Sequence, residues 1–402
     1  MLNIKRSLAD RLQRCRLPAL FYLISLCLHL SRLFQDASLL CGKHKRRGEI
    51  IKLLVVGDEE SVLYAASLFF QSRPHRVRLG KTFLYGIDLR FSGLFGRIDL
   101  VFARTAPVWS SYWERRGYFL LPKWVNFTCD TGNSGDDFLK TRPKLKRDID
   151  SALKKGFSCE VTKDKETVSF FHKNIYAPHI SGRFRELART QSHESARYFS
   201  DKGGLLMIKQ NGEYAAGAVF ARRGDKLLFI MAAPAAQPEK RPGSPGLAMT
   251  AAYYFTLRLA KENGCRQVDF GGCLPFFNDG VFHYKRKWGM EIGRQALAPQ
   301  EHAFKTLRLN KTTRGLLAGS PFVFRDGKNL RGMAFMDSPQ PATAQEVLTC
   351  YKKYWTDGLK TLRIASFSGF CETAAKELAE VRNLELVRAG SPEAPAGHGR
   401  ES

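Results

Sequence analysis

The chain has 402 residues, of which 44% are hydrophobic and 12% are aromatic. This length allows two or three domains with cores of their own, and the composition excludes a disordered tail protein. The 64 Lys and Arg residues exceed the 38 Asp and Glu residues and give a net charge of +26. Such a charge attracts polyanions such as nucleic acid, anionic lipid or phosphate-bearing cofactors.

The nine cysteines include no C-x-x-C pair. They form neither a disulfide framework nor a zinc pattern, so we expect a reducing compartment, a cytoplasmic protein and no metal. Cys265 and Cys273 have no neighbouring His motif, and we expect small buried side chains there rather than nucleophiles.

Residues 1–48 are predicted to be a basic N-terminal segment. Its apolar run, residues 17–30, is too short to span a bilayer and is not followed by a small-residue cleavage site. We predict an amphipathic helix that binds anionic lipid peripherally at the inner membrane face. The alternative is a helix packed on the protein's own core.

Residues 49–147 are predicted to be a first α/β domain. Residues 49–57 are typical of a buried strand, and Asp58 caps a helix that runs to about Phe70. Further strands are predicted at 81–91, 97–104 and 116–121. The segment 131–147 is rich in Gly, Asp and Lys and resembles a linker, so the domain boundary is predicted there.

Residues 148–312 are predicted to be a second domain. Asn211 and Gly212 separate two apolar runs, a strong hairpin signal, and a third strand follows at 226–233. A loop rich in Pro and Gly then precedes a helix at 247–263 and a strand at 267–270. A loop that opens a helix offers free N–H groups and a favourable dipole to an anion, although a plain turn is the alternative. The residues predicted to hold a pyrophosphate are Arg241, Gly243, Ser244, Gly246 and Leu247.

The segment 267–289 is the most informative of the chain. Its strand ends on Gly271 and Gly272, which have no Cβ and let a ligand approach the backbone closely. A basic tripeptide that begins at Lys285 then lies between Tyr284 and Trp288. This pattern predicts a binding site for an anionic ligand.

With these residues the chain resembles the GNAT acyltransferase superfamily, and more closely its Fem-like branch, in which two GNAT-type halves are joined in tandem. The loop from Arg241 to Gly246 keeps the first and last positions of the family's cofactor motif and has Ser244 where Gly is usual. Asp269 to Gly272, followed by Tyr284, Lys285, Trp288 and Gly289, is similar to the family's strand and aromatic-lysine segment. The resemblance covers residues 50–312.

The resemblance implies an α/β (α+β) fold of two GNAT-like domains, with the working cleft between the third and fourth strands of the second. An amine would attack the carbonyl of an acyl donor. Lys285 would stabilise the developing charge, Tyr284 or His283 would protonate the leaving group, and Asp269 or Asp279 would accept the amine proton. From the residues alone, each of these residues also fits a structural role. Asp269 fits a cap at the end of a strand, Asp279 fits a turn, and Lys285 fits a solvated cation. The residues expected to contact the acceptor are His179, Arg183, Asn278 and Trp288.

Three functions stay open. The first is transfer from acyl-CoA to an amino group of a cell-envelope precursor, such as a saccharide, lipid or peptidoglycan precursor. The second uses aminoacyl-tRNA as donor, and the third is a non-catalytic basic scaffold that binds nucleic acid or anionic membrane. Residues 313–388 are predicted to form a small α/β appendage, and residues 389–402 a disordered tail.

Overall fold

The computed structural model describes residues 33–45, 48–105, 109–184, 190–235, 245–294 and 301–389. The strands of these residues are β1 (Phe34–Lys43), β2 (Ile50–Val56), β3 (His75–Phe83), β4 (Leu100–Thr105), β5 (Phe119–Pro122), β6 (Val125–Asp130), β7 (Phe157–Thr162), β8 (Gly203–Gln210), β9 (Glu213–Arg223), β10 (Lys226–Pro234), β11 (Gln267–Cys273), β12 (Glu291–Arg294), β13 (Glu301–Thr306), β14 (Phe322–Asp326), β15 (Asn329–Met336), β16 (Thr361–Ser366) and β17 (Leu384–Arg388).

The helices connect these strands. They are α1 (Glu59–Phe69), α2 (Ile87–Arg90), α3 (Ser92–Phe95), α4 (Ser110–Glu114), α5 (Asp136–Lys140), α6 (Pro143–Lys154), α7 (Lys165–Phe170), the π-helix Phe171–Tyr176, α8 (Ala177–Phe184), α9 (His193–Lys202), α10 (Pro245–Glu262), α11 (Gly280–Lys287), α12 (Lys311–Gly319), α13 (Ala344–Tyr354) and α14 (Glu372–Glu377), with single 3-10 turns at Leu84–Gly86 and Thr131–Ser134.

The described chain divides into two compact units. The first unit holds residues 33–120 and 301–316, and the second unit holds residues 121–294 and 317–389. Residues 121–147, assigned to the first domain in the sequence analysis, are in the second unit because β6 pairs antiparallel with β11 and with β12.

The first unit contains a sheet with strand order β13-β4-β2-β1-β3. β2 and β4 are parallel, and β1 pairs antiparallel with β2 and with β3. The predicted strand at β2 is confirmed, and so is its helix, because the Asp58 carboxylate accepts a hydrogen bond from the Ser61 N–H as an N-cap. The predicted strand at 81–91 is wrong beyond Phe83. Buried Leu84, Ile87 and Phe91 follow helical spacing instead.

The second unit contains a seven-stranded sheet with strand order β12-β6-β11-β10-β9-β8-β7. The pairs β7–β8, β8–β9 and β9–β10 are antiparallel, whereas β10 and β11 are parallel, with α10 as the crossover. The hairpin of β8 and β9 is confirmed, since Asn211 and Gly212 have φ angles of 51° and 83°, as a type I′ turn requires.

The C-terminal part of the second unit contains the strands β17-β16-β15-β14 in that order. β14 and β15 form a hairpin, and β15, β16 and β17 are parallel. The unit is mixed α/β, and its largest core cluster joins the seven-stranded sheet, α10 and these C-terminal strands.

Most of the predicted N-terminal segment lies outside the described residues, including the apolar run 17–30. Residues 34–43 of that segment form strand β1. None of the described helices is long and apolar enough to cross a membrane. The predicted tail 389–402 lies outside the described residues except for Ala389.

Candidate active site

The most distinctive feature of the second unit is that β10 and β11 pair only at their starts. The parallel register covers Lys226 with Gln267, Leu227 with Val268, and Leu228 with Asp269. Beyond this point β10 continues against β9, and β11 continues against β6. The two central strands therefore diverge and leave a cleft between their backbones.

A bulge in each strand produces this divergence. The register of β10 against β9 shifts between Phe229 and Met231, and that of β11 against β6 shifts between Asp269 and Gly272. A bulge leaves backbone groups unpaired and bends its strand. Both bulges follow directly after the last pair between β10 and β11, so the cleft is built into the local structure of both strands.

Gly271 is the residue that lets β11 bulge. Its φ angle is +71°, a left-handed conformation that favours glycine. A Cβ placed there would lie 3.7 Å from the carbonyl oxygen of Phe229 on the opposite strand. Gly271 therefore lies at the narrow end of the cleft.

The side chain of Asp269 stabilises the β11 bulge through hydrogen bonds. Its Oδ1 accepts hydrogen bonds from the Gly271 N–H at 2.8 Å and from the Asn126 side-chain amide at 2.7 Å. Its second oxygen, Oδ2, accepts no hydrogen bond from the described residues. A half-buried carboxylate with one available oxygen thus lies where the two strands separate.

Lys285 lies beneath the bulge instead of projecting into open space. Only 2% of it is exposed, and its ammonium donates to the carbonyl oxygens of Phe270 and Gly271 at 2.8 Å and of Gly272 at 3.4 Å. An ammonium has three N–H donors, so these contacts use all of them. Burial lowers the pKa of Lys285. The ammonium therefore faces the backbone of β11, and the predicted role of Lys285 at the reacting carbonyl stays a prediction.

An aromatic wall stands behind the bulge. Tyr253 of α10 stacks on Phe270 with ring centroids 4.4 Å apart, and Tyr284 packs edge-on against Tyr253 at 5.1 Å. The Tyr284 hydroxyl lies 3.2 Å from the hydroxyl of Thr250. Burial raises the pKa of Tyr284 to about 12, so this phenol is neutral at physiological pH and keeps a proton to donate.

Three predicted site residues have structural roles here. Asp279 caps α11, because its Oδ1 accepts the N–H groups of Val281 and Phe282, both at 3.0 Å. The Asn278 amide donates to the Gly319 carbonyl at 3.0 Å. Trp288 is completely buried in the core, which leaves it no surface for an acceptor.

His283 is exposed on α11, on the outside of the helix that carries Lys285. Partial burial and the neighbouring cations Arg286, Lys144 and Lys287 lower the pKa of His283. His283 is therefore mostly neutral at pH 7. The surroundings of the two candidate proton donors therefore differ: His283 has cationic neighbours, and Tyr284 packs against an aromatic ring.

The two predicted acceptor-contacting residues His179 and Arg183 are on α8. Burial, and then the charge of Arg183, lowers the pKa of His179. The positive charge of Arg183 also acts on the hydroxyl of Tyr253, and α8 contacts β10. Helix α8 therefore brings a histidine and an arginine towards the elements that form the cleft.

The predicted pyrophosphate loop is described only at its end. Arg241, Gly243 and Ser244 lie outside the described residues, and α10 begins at Pro245. The carbonyl of Gly246 accepts a hydrogen bond from Thr250 at 2.9 Å, and Leu247 packs against the core.

On β11, the backbone of Gly272 runs close to the side chain of Trp124, since a Cβ at Gly272 would lie 3.2 Å from the Cβ of Trp124.

Sequence reasoning missed three residues of the site. Asn126, on β6, shares the Asp269 carboxylate with Gly271, and Thr250 and Tyr253 on α10 hold the aromatic wall. Thr250 and Tyr253 are three residues apart and so share a helix face, which is a signal that the sequence contains. Asn126 carries no comparable signal because its partner lies 143 residues away.

Several solved structures match the chain. FemX matches with 14% identity and a TM-score of 0.37 over 70% of this chain and 87% of that one. L-PGS from Bacillus licheniformis matches with 15% identity and a TM-score of 0.34 over 68% and 86%. A GCN5-related N-acetyltransferase from Sphaerobacter thermophilus matches with 12% identity and a TM-score of 0.28 over 52% and 60%.

The matches therefore include the GNAT and Fem-type proteins that the resemblance predicted. No protein-family model matches the sequence, and no curated protein matches it significantly.

Proposed function

We propose that the protein is an N-acyltransferase of the GNAT type, and that its acyl donor lies in the cleft between β10 and β11. The observation that carries this proposal is the divergence of the two strands after Leu228 and Asp269. Backbone N–H groups along such a cleft can hold the carbonyl of a thioester or ester without help from side chains.

The reaction is a direct attack by an amine. The nitrogen of the acceptor forms a bond to the donor carbonyl carbon, and the bond from that carbon to the sulfur or ribose oxygen breaks. We assign the removal of the ammonium proton to Asp269, whose Oδ2 is available at the fork of the cleft. We assign protonation of the leaving group to Tyr284, whose raised pKa keeps it neutral.

Lys285 supports this chemistry indirectly. By binding three consecutive carbonyl oxygens it keeps the β11 bulge in place, and with it Gly271 and the carboxylate of Asp269. Its buried positive charge also favours negative charge that develops nearby in the transition state.

We propose acyl-CoA as the donor and an amine of a cell-envelope precursor as the acceptor. The helix α10 follows β10 and begins at Pro245, and the positive end of its dipole favours a pyrophosphate at this position. Aminoacyl-tRNA is the second candidate donor, and the net charge of +26 favours it. Residues 1–48 are proposed to bind anionic membrane peripherally.

A calorimetric titration at two salt concentrations tests the donor. We expect saturable binding of acetyl-CoA or a longer acyl-CoA that persists at the higher salt concentration. Binding that is restricted to charged tRNA, with weaker binding of uncharged tRNA, would replace acyl-CoA by aminoacyl-tRNA. Salt-sensitive attraction to every polyanion alike would contradict the enzymatic proposal and favour a basic scaffold.

A further inference from the structure

A basic pocket lies in the second unit, apart from the cleft. Its volume is about 280 Å³, and its lining comes from β12, from the β14–β15 hairpin and from the loop before β16. The lining residues are Ile292, Gly293, Arg294, Lys328, Asn329, Leu330, Gly358, Leu359 and Lys360.

Three cations line this pocket, and none of its described lining residues is acidic. Arg294, Lys328 and Lys360 are all exposed and come from three separate segments of the chain. The carboxylates closest in sequence are not part of the lining: Asp326 pairs with Arg331, Asp357 is exposed, and Glu291 is exposed beside Gly358. Cations that converge from separate segments are the pattern expected for a bound anion.

The backbone behind the cations is fixed by hydrogen bonds. The Ile292 N–H donates to the Asp357 carbonyl at 2.8 Å, and the Lys360 N–H donates to the Leu330 carbonyl at 2.8 Å. Gly358 has a φ angle of +91°, and a Cβ there would lie 2.1 Å from the Ile292 carbonyl oxygen. The loop that carries Lys360 is thus packed directly against β12, the strand that carries Arg294.

The register of the sheet places this pocket relative to the cleft. Gly293 of β12 and Gly272 of β11 both pair with Asn126 of β6. Two strand spacings of 4.7–4.9 Å separate them, so Gly293, which lines the pocket, lies about 10 Å from Gly272 beside the bulge and at the same level of the sheet. A molecule that contacts both the cleft and the pocket has to span about this distance.

We propose that this basic pocket binds a phosphate group and that the group belongs to the acceptor. The assignment to the acceptor rests on the proposed function, whereas the binding of phosphate rests on the pocket alone. The occupant is a phosphomonoester or diphosphate, whether it is part of a soluble molecule or of a lipid headgroup.

Titration with inorganic pyrophosphate at fixed ionic strength tests the site. We expect K328Q/K360Q to bind pyrophosphate at least tenfold more weakly than the unaltered protein. The matched control K165Q/K376Q removes two exposed lysines of the same unit, and its affinity should change less than twofold. Absence of pyrophosphate binding to the unaltered protein, or equal losses in the two double variants, would overturn the proposal.

A local readout accompanies the titration. Pyrophosphate should protect Lys328 and Lys360 from an amine-reactive reagent, measured by mass spectrometry, and leave Lys376 reactive. Uniform reactivity of the three lysines with and without pyrophosphate would show that the anion binds elsewhere. Vesicles of phosphatidylglycerol or phosphatidylcholine identify the source. Loss of binding to the former in K328Q/K360Q assigns a lipid phosphate, and retained binding with lost pyrophosphate affinity assigns a soluble one.

The assignment to the acceptor has a separate test. The donor affinity of K328Q/K360Q should stay within twofold of that of the unaltered protein. A donor affinity that falls together with pyrophosphate affinity would overturn the assignment. If neither acyl-CoA nor aminoacyl-tRNA binds the unaltered protein, the proposed function fails, and the pyrophosphate result still decides whether the pocket is an anion site.

Discussion

The ammonium of Lys285 lies 2.8 Å from the carbonyl oxygen of Gly271, the residue whose left-handed backbone forms the β11 bulge. A buried cation and a bulged strand thus stabilise each other. The buried ammonium needs hydrogen-bond acceptors for its N–H groups, and the carbonyl oxygens of the bulge need hydrogen-bond donors.

Replacement of Lys285 by Met should destabilise the second unit. The Met side chain is one atom shorter but otherwise similar in shape, and three carbonyl oxygens lose their donor, so we expect a loss of about 2–4 kcal/mol in unfolding free energy. The control Lys144→Met removes an exposed lysine and should cost less than about 0.5 kcal/mol. Chemical denaturation measures both variants. Equal stabilities would show that the bulge does not depend on the ammonium.

Replacement of Asp269 and replacement of Asp279 should have very different effects on the transfer rate. In Asp269→Asn an amide oxygen can still accept from Gly271 and Asn126, but no base remains, and we expect the transfer rate to fall about 10²- to 10⁴-fold. In Asp279→Asn the helix cap is retained, so the rate should change little. Rates measured over a range of pH separate loss of a base from loss of the fold. A fully active Asp269→Asn variant would exclude Asp269 as the base.

Two glycine variants should separate backbone strain from loss of donor binding. Gly271 and Gly264 both have positive φ angles, +71° and +68°, so replacement by Ala should cost each about 1–2 kcal/mol. Only Gly271 faces the cleft, and we expect Gly271→Ala alone to raise the KM for the donor. Steady-state kinetics and thermal melts of the two variants check this. Equal KM values in both variants would place the donor away from β11.

Glu385 should make the C-terminal strands sensitive to acid. It accepts hydrogen bonds from Arg331 at 2.6 Å and from Arg363 at 2.5 Å. Burial alone would raise the pKa of Glu385, but the hydrogen bond and charge of Arg363, together with the charge of Arg331, lower it below its ordinary value of 4.5. A carboxyl group with a lowered pKa contributes stability above its unfolded pKa and loses it as the pH falls through the folded value.

We therefore expect Glu385→Gln to lose about 1 kcal/mol at pH 7, since the side chain is one-third exposed. The difference between this variant and the unaltered protein should shrink as the pH falls below about 4.5. Chemical denaturation of both proteins at pH 7 and at pH 3 measures this difference in unfolding free energy. A difference that is the same at both pH values would mean that charge is not its cause.

The sequence predicted the elements of the second unit well where the signal is local. The Asn211-Gly212 turn, α10 and β11 are all found, because each depends on neighbouring residues. The sequence also predicted that Gly271 marks the floor of a binding site; this role stays a prediction, and the structure shows a left-handed backbone at Gly271 in the β11 bulge.

The roles of individual side chains were harder to predict because they depend on distant partners. Nothing near Lys285 in the sequence shows that its ammonium binds the carbonyl oxygens of a strand 13–15 residues earlier. The Asp269 carboxylate accepts a hydrogen bond from Asn126 of β6, and Asn126 lies next to Asp269 only because β6 pairs with β11. Strand β6 itself was missed, and with it the assignment of residues 121–147 to the second unit.

The most direct test of the cleft is hydrogen exchange of the backbone with and without donor. We expect saturating acyl-CoA, or aminoacyl-tRNA if that is the donor, to slow exchange at residues 229–234 of β10 and 269–273 of β11. Exchange in β7, at the far edge of the same sheet, should not change. Protection of β10 and β11 would confirm that the donor lies between them. A donor that binds without protecting either strand would contradict the central claim.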